Sequence, residues 1–113
     1  MITRLAGSNP TRSRGVVHDN LVFTVAVASD KVASYYDQTK QALAAIDKNL
    51  AEAGTDKSRI LTTFVYIADM AQKAEMDRAW GEWADRANPP MRACLGVTLE
   101  GKDLVEIVVT AAK

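Results

Sequence analysis

One cysteine, Cys94, and one histidine, His18, are all that the 113 residues contain of two common soft metal ligands. A single thiol excludes an internal disulfide and a thiolate cluster for zinc. A single imidazole builds neither a His-based metal site nor a complete catalytic triad on its own. Metal catalysis is therefore not expected. The chain also lacks an excess of charge: 14 basic residues face 14 acidic ones. Without a broad positive field, neither nucleic acid nor an anionic membrane is an expected partner. No apolar run approaches the roughly 20 residues of a spanning helix, and Met1-Ile2-Thr3-Arg4-Leu5-Ala6-Gly7 lacks the hydrophobic stretch of a signal peptide. A cytoplasmic location is expected. Repeats, low-complexity tracts and linkers are absent too, so residues 1–113 are expected to form one domain.

What is present is enough to fold: 48% of residues are hydrophobic and 25% charged, a balance that offsets ordering entropy. The dense irregular stretch Gly7-Ser8-Asn9-Pro10-Thr11-Arg12-Ser13-Arg14-Gly15 reads as a surface loop. Val16-Val17 and Leu21 to Ala28 flank the turn-forming His18-Asp19-Asn20, which predicts a hairpin. Between Ser34 and Ala53, Tyr36, Thr39, Leu43, Ile46, Leu50 and Ala53 recur at helical spacing, and Gly54 supplies a stop. Ile60 to Ile67 is β-branched and aromatic, and Asp69 is a candidate cap for a second helix. Met76, Trp80, Trp83, Ala84 and Ala87 share a face of that helix, which must end by Asn88-Pro89-Pro90. Two final strands, Met91 to Leu99 and Leu104 to Ala111, flank the turn chemistry of Glu100-Gly101-Lys102-Asp103.

The predicted order is β-β-α-β-α-β-β, an α+β fold with two helices on one face of one sheet. Val25, Val27, Val105, Ile107 and Val109 are assigned to the other face, too apolar to leave in water. Burial against further copies of the chain is the expected solution.

Three residues stand out chemically. Arg92 opens a strand after two prolines, where its planar fork could hold a carboxylate, or could simply reach solvent or a neighbouring acid. Glu106 interrupts an apolar strand, where it could orient a water or serve as an edge charge against aggregation. Cys94 has no nearby histidine in sequence to activate it and reads as a small buried hydrophobe rather than a nucleophile. If Leu99 pairs with Leu104, alternation places Glu106 on the sheet face opposite Arg92, and a one-residue bulge would reverse that.

Pro90-Met91-Arg92-Ala93-Cys94, followed by Val105-Glu106-Ile107, closely resembles the C-terminal signature of the RidA family, also called the YjgF or reactive-intermediate deaminase family. The order of the remaining elements agrees, so the resemblance spans nearly the whole chain. Ala79-Trp80-Gly81-Glu82-Trp83 resembles a divergent branch rather than the archetype. The resemblance implies a chorismate mutase-like fold and a homotrimer with three clefts, each lined by two neighbouring subunits. It further implies hydrolysis of 2-imino acids or their enamine tautomers to 2-oxo acids and ammonia, with no cofactor. On that reading Arg92 clamps the substrate carboxylate, main chain around Cys94 contacts the imine nitrogen, and Glu106 positions water. Three pocket positions depart from the archetype: Arg12 stands for a tyrosine, Val25 for a serine, and Asp77 for an asparagine. These departures leave open a non-catalytic trimer that binds small carboxylate metabolites. They also suggest that Arg12 adds a second cation for a substrate with a second acidic group. Some relatives are associated with RNA cleavage or translation, against which the balanced charge argues.

Overall fold

The computed structural model describes residues Met1–Lys113. It contains strands β1 (Ile2–Ala6), β2 (Ser13–His18) and β3 (Leu21–Val27), helix α1 (Tyr35–Glu52), strand β4 (Ile60–Ile67), helix α2 (Lys73–Trp83), and strands β5 (Met91–Gly96) and β6 (Val105–Ala112). The predicted order holds, with one strand added at the start. Ile2–Ala6 pairs antiparallel with β2, so the N-terminal irregular stretch narrows to residues 7–12.

Local chemistry explains the boundaries. The β2–β3 hairpin turns on Asp19 and Asn20, and Asp19 takes a positive φ of 51° that suits a tight two-residue connection. Ser34 caps α1 by accepting the Asp37 amide proton at 3.1 Å, and Gly54, at φ 86°, follows its end. Asp69 caps a single 3-10 turn, Met70–Gln72, that leads into α2. The second helix ends at Trp83, so Ala84 and Ala87 lie beyond it.

All six strands form one sheet in the order β1-β2-β3-β6-β4-β5. The expected hairpin between the last two strands does not form. Helix α2 carries the chain across from β4 to β5, and such a crossover makes that pair parallel. Strand β5 stops at Gly96, and residues 97–104 pass the end of β4 to insert β6 between β3 and β4, antiparallel to both. Gln38, fully buried on α1, secures this connection: its amide donates to Val32 O at 2.9 Å and Lys102 O at 3.0 Å, while its carbonyl accepts from the Leu104 amide at 2.9 Å.

The two helices cover one face. Val22, Val65, Ile67, Val105, Ile107 and Val109 from the sheet meet Leu43, Ile46, Leu50 and Met76 from the helices in one cluster. Fully burying each such side chain contributes about 1.5–3 kcal/mol. Val105, Ile107 and Val109 thus belong to this core, not to the open face assigned from sequence. A central strand flanked on both edges buries its most apolar alternate set under the helices. The open face instead carries Phe23, Val25, Val27, Phe64, Tyr66, Leu95, Glu106 and Val108, with Phe23, Phe64 and Leu95 exposed. It remains strongly apolar, as expected, with a different roster.

Candidate functional site

The register decides which of the singled-out residues can meet. Arg92 pairs with Thr63 and Cys94 with Val65, both on the helix-covered face. Glu106 lies opposite Val27 on one side and Tyr66 on the other, on the open face. Arg92 and Glu106 therefore point to opposite sides of the sheet, without the Leu99–Leu104 pairing. They are also offset by three residues along β4, roughly 10 Å at ~3.3 Å per residue. Within one chain they do not share a site. Glu106 is half-buried and makes no hydrogen bond or ion pair.

At the outer edge, β5 places Arg92 beneath α2. The guanidinium carbon stands 5.1 Å from the Trp80 ring centroid, a cation–π contact. One terminal nitrogen reaches Met76 Sδ at 3.6 Å, and the other lies 2.9 Å from Asp77 Oδ1. That oxygen accepts no well-directed hydrogen bond, so the contact is an ion pair rather than a fork-to-fork bond. Lys73, one helical turn before Asp77, donates to Asp77 Oδ2 at 2.7 Å. Partial burial would raise the Asp77 pKa, but the Lys73 and Arg92 contacts outweigh it and hold it below the ordinary carboxylate value. The group is two cations around one anion, with a net charge of +1.

Cys94 follows two residues along β5, half-buried. Burial pushes its thiol pKa up, the nearby Arg92 and Lys73 charges only partly offset this, and Asp77 adds to the rise. The thiol stays protonated at neutral pH, a poor nucleophile. The backbone is a different matter. β5 is an edge strand, and the Val97 amide donates inward to Ile67 O at 3.0 Å. Alternation carried back along the strand turns the amide and carbonyl of Arg92 and Cys94 outward, to the free edge. Thr63, beside Arg92 in the ladder, has a buried hydroxyl with no partner.

Arg12 and Val25 come together elsewhere. Both line the chain's largest cavity, about 530 Å³, between the loop of residues 7–12, the end of β3 and α1. Four inter-strand steps separate β2 from β5, roughly 19 Å at ~4.8 Å each. One chain therefore holds two separate groups, Arg92, Cys94 and Asp77 at the β5 edge, and Arg12 and Val25 around the distant cavity. Sequence reasoning missed Lys73 and the Arg92–Trp80 contact. The i, i+4 spacing of Lys73 and Asp77 was the available signal for the first; Trp80 read only as core.

Comparison with known proteins accords with this architecture. The family model described as Endoribonuclease L-PSP matches residues 3–113. A RutC family protein of Haemophilus ducreyi is 43% identical over 113 residues, spanning 99% of this chain and 97% of that protein. The RutC family protein YoaB of Escherichia coli K12 is 34% identical over 98 residues, 86% of each chain. Among solved structures, NMB1025 of Neisseria meningitidis, a member of the YjgF protein family, superposes with a TM-score of 0.94 at 34% identity, covering 100% of this chain and 95% of that one. With the fold and nearly the full length of both chains matched, the chain belongs to the RutC/YjgF family.

Proposed function

We propose that residues 1–113 act as one cytoplasmic catalytic unit that assembles as a homotrimer and hydrolyses 2-imino acids, or their enamine tautomers, to 2-oxo acids and ammonia. The observation that carries this reading is Arg92: a guanidinium fixed by Trp80, Met76 and Asp77 at a free strand edge, in a group of net charge +1. A fixed fork with donors to spare suits a small carboxylate. The exposed apolar sheet face around Phe23, Phe64 and Leu95 supports burial against other copies, and assembly would bring the half-sites of neighbouring chains together.

In the resulting cleft Arg92 holds the substrate carboxylate, and outward main chain at Cys94 contacts the imine nitrogen. The imine carbon is already electrophilic, so catalysis needs orientation and a placed water. Glu106 accepts a proton from that water as oxygen adds to carbon. Glu106 gives that proton to the nitrogen and then relays the hydroxyl proton to it, so ammonia leaves with both protons of the water, the carbon–oxygen double bond forms as the carbon–nitrogen bond breaks, and Glu106 is left ionised again. Because Arg92 and Glu106 face opposite sides of the sheet, Glu106 reaches this water across a chain boundary or around a strand end. No cofactor takes part.

The test generates 2-iminobutyrate in place with an amino-acid oxidase and follows imine loss against the buffer rate. Acceleration that disappears in Arg92→Ala is the expected result. Asp77 across from Arg92, and Val25 and Arg12 lining the opposite half-site, favour one second reading, a non-catalytic trimeric binder of small carboxylates. Binding of 2-oxobutyrate with no acceleration for any imino acid would replace the first reading with the second.

A further inference from the structure

The cavity beside Arg12 has a composition that the hydrolysis of a simple imino acid does not require. Its wall includes Arg12, Arg14 and Lys48, with Ser8, Ser29 and Asn49, and no acidic side chain. The three cations differ in what they are free to do. Arg14 is spent internally: it donates to Ala6 O at 2.8 Å, to Asn49 Oδ1 at 2.7 Å and to Glu52 Oε2 at 2.6 Å. Arg12 and Lys48 make no hydrogen bond or ion pair through their side chains. Two unpaired cations thus border one concave space with no acidic side chain in its wall, and Ser8 and Ser29 add neutral hydrogen-bonding groups, while Asn49 is committed to Arg14 and Thr24.

Nor does Arg12 sit on a loose strap. Asn9 Oδ1 accepts from the Thr11 amide at 2.8 Å and from the Thr11 hydroxyl at 2.7 Å, and the Arg12 amide donates to Asn9 O at 3.3 Å. The other side of the loop closes on Gly7, where a Cβ would lie only 2.9 Å from Arg12 O. A loop tied in this way presents its arginine with part of the ordering cost already met.

We propose that this cavity is a subsite for a second carboxylate, so that the ligand is a small dicarboxylic 2-imino or 2-oxo acid. Its distal carboxylate sits on Arg12 and Lys48, and its 2-imino or 2-oxo end is held by Arg92 of a neighbouring copy. The inference rests on the reading of Arg92 as a carboxylate anchor in a cleft shared between copies. The spacing requires the sharing, because roughly 19 Å between β2 and β5 of one chain exceeds the reach of a small diacid.

The test measures binding of 2-oxoglutarate and 2-oxobutyrate by titration calorimetry to wild type, Arg12→Ala, Lys48→Met and Arg92→Ala, each first checked for wild-type assembly by sedimentation. Wild type should prefer the dicarboxylate. Arg12→Ala should shrink that preference about tenfold, the effect of losing one charge-assisted contact, with a smaller shrinkage for Lys48→Met. Arg92→Ala should weaken both ligands. If neither Arg12→Ala nor Lys48→Met changes the preference, the subsite is refuted, whatever the imine assay gives. If the preference shrinks as stated while no imine is hydrolysed, the subsite stands and the hydrolase reading falls.

Discussion

Replacing Asp77 with asparagine should tighten carboxylate binding at Arg92, although it removes an ion pair. Two effects compete. Asp77, 2.9 Å from Arg92, helps to hold the guanidinium, but it also repels any anion that docks there. The holding role is shared with Trp80 and Met76, and the Asp77 contact is poorly directed, so Arg92 should keep its place without it. The repulsion is not shared. A ligand carboxylate on the far side of the Arg92 fork would lie roughly 6 Å from the Asp77 carboxylate. An effective dielectric of about 40 suits a partly exposed site, and at that value two unit charges repel by about 1.4 kcal/mol, or about tenfold in affinity. Salt reduces this, so we expect 2-oxobutyrate to bind about three- to tenfold more tightly to Asp77→Asn, by titration calorimetry at low ionic strength. Lys73→Met should do the reverse, because it takes the net charge of the group from +1 to 0. The double variant restores +1 and should return close to wild type. If Asp77→Asn instead weakens binding as severely as Arg92→Ala, Asp77 is a positioning residue and this electrostatic reasoning is wrong.

Val109 and Val108 separate the two sheet faces: Val109→Asp, with its side chain in the dry core, should unfold the chain, since an uncompensated buried charge costs several kcal/mol. Val108→Asp, on the open face, should keep the circular dichroism of wild type and lower the sedimentation coefficient. Cys94→Ser should retain most imine hydrolysis, because burial keeps the thiol protonated and the group proposed to act is main chain; a covalent adduct on the thiol by mass spectrometry would contradict this. The folded-state pKa of Asp77 is lowered, so its contribution to stability is present above about pH 4 and lost as pH falls through the folded value. Because the group is more than a third exposed, that contribution is below about 1 kcal/mol. The urea midpoint of Asp77→Asn should therefore fall less than that of wild type between pH 7 and pH 3.

Periodicity made the helices legible because Leu43, Ile46, Leu50 and Met76 sit where one buried stripe must run. The hairpin at Asp19 was legible for a local reason, since two residues had to turn the chain. The mate of β5 was not. A strand pair closed by α2 and a strand pair closed by four turn residues look equally plausible along the sequence, and the choice rests on tertiary packing. Val105 to Val109 illustrate the cost. Val and Ile positions alternate with Glu106 and Val108, so either set could have been core, and only pairing on both edges fixed which. At the site, Arg92 and Asp77 were singled out separately, but sequence gave no sign that they touch. The division of the singled-out residues into two distant groups follows from strand order, which no local pattern records.

That strand order has a consequence for how the chain is made. β6, the last strand in the sequence, lies in the interior of the sheet, hydrogen-bonded to β3 on one side and β4 on the other. Until residues 105–112 have left the ribosome, β1–β3 and β4–β5 are two separate ribbons. Each then has a bare inner edge and an unfinished share of the Leu43 and Ile46 core. Newly synthesised protein passes through a period of unsatisfied strand edges, the condition in which chains pair with one another instead of with themselves. The closing step joins contacts far apart in sequence, which is slow. Deleting β6 would leave β1–β3 and β4–β5 unjoined, so the continuity of the whole sheet rests on the strand that comes latest of the six.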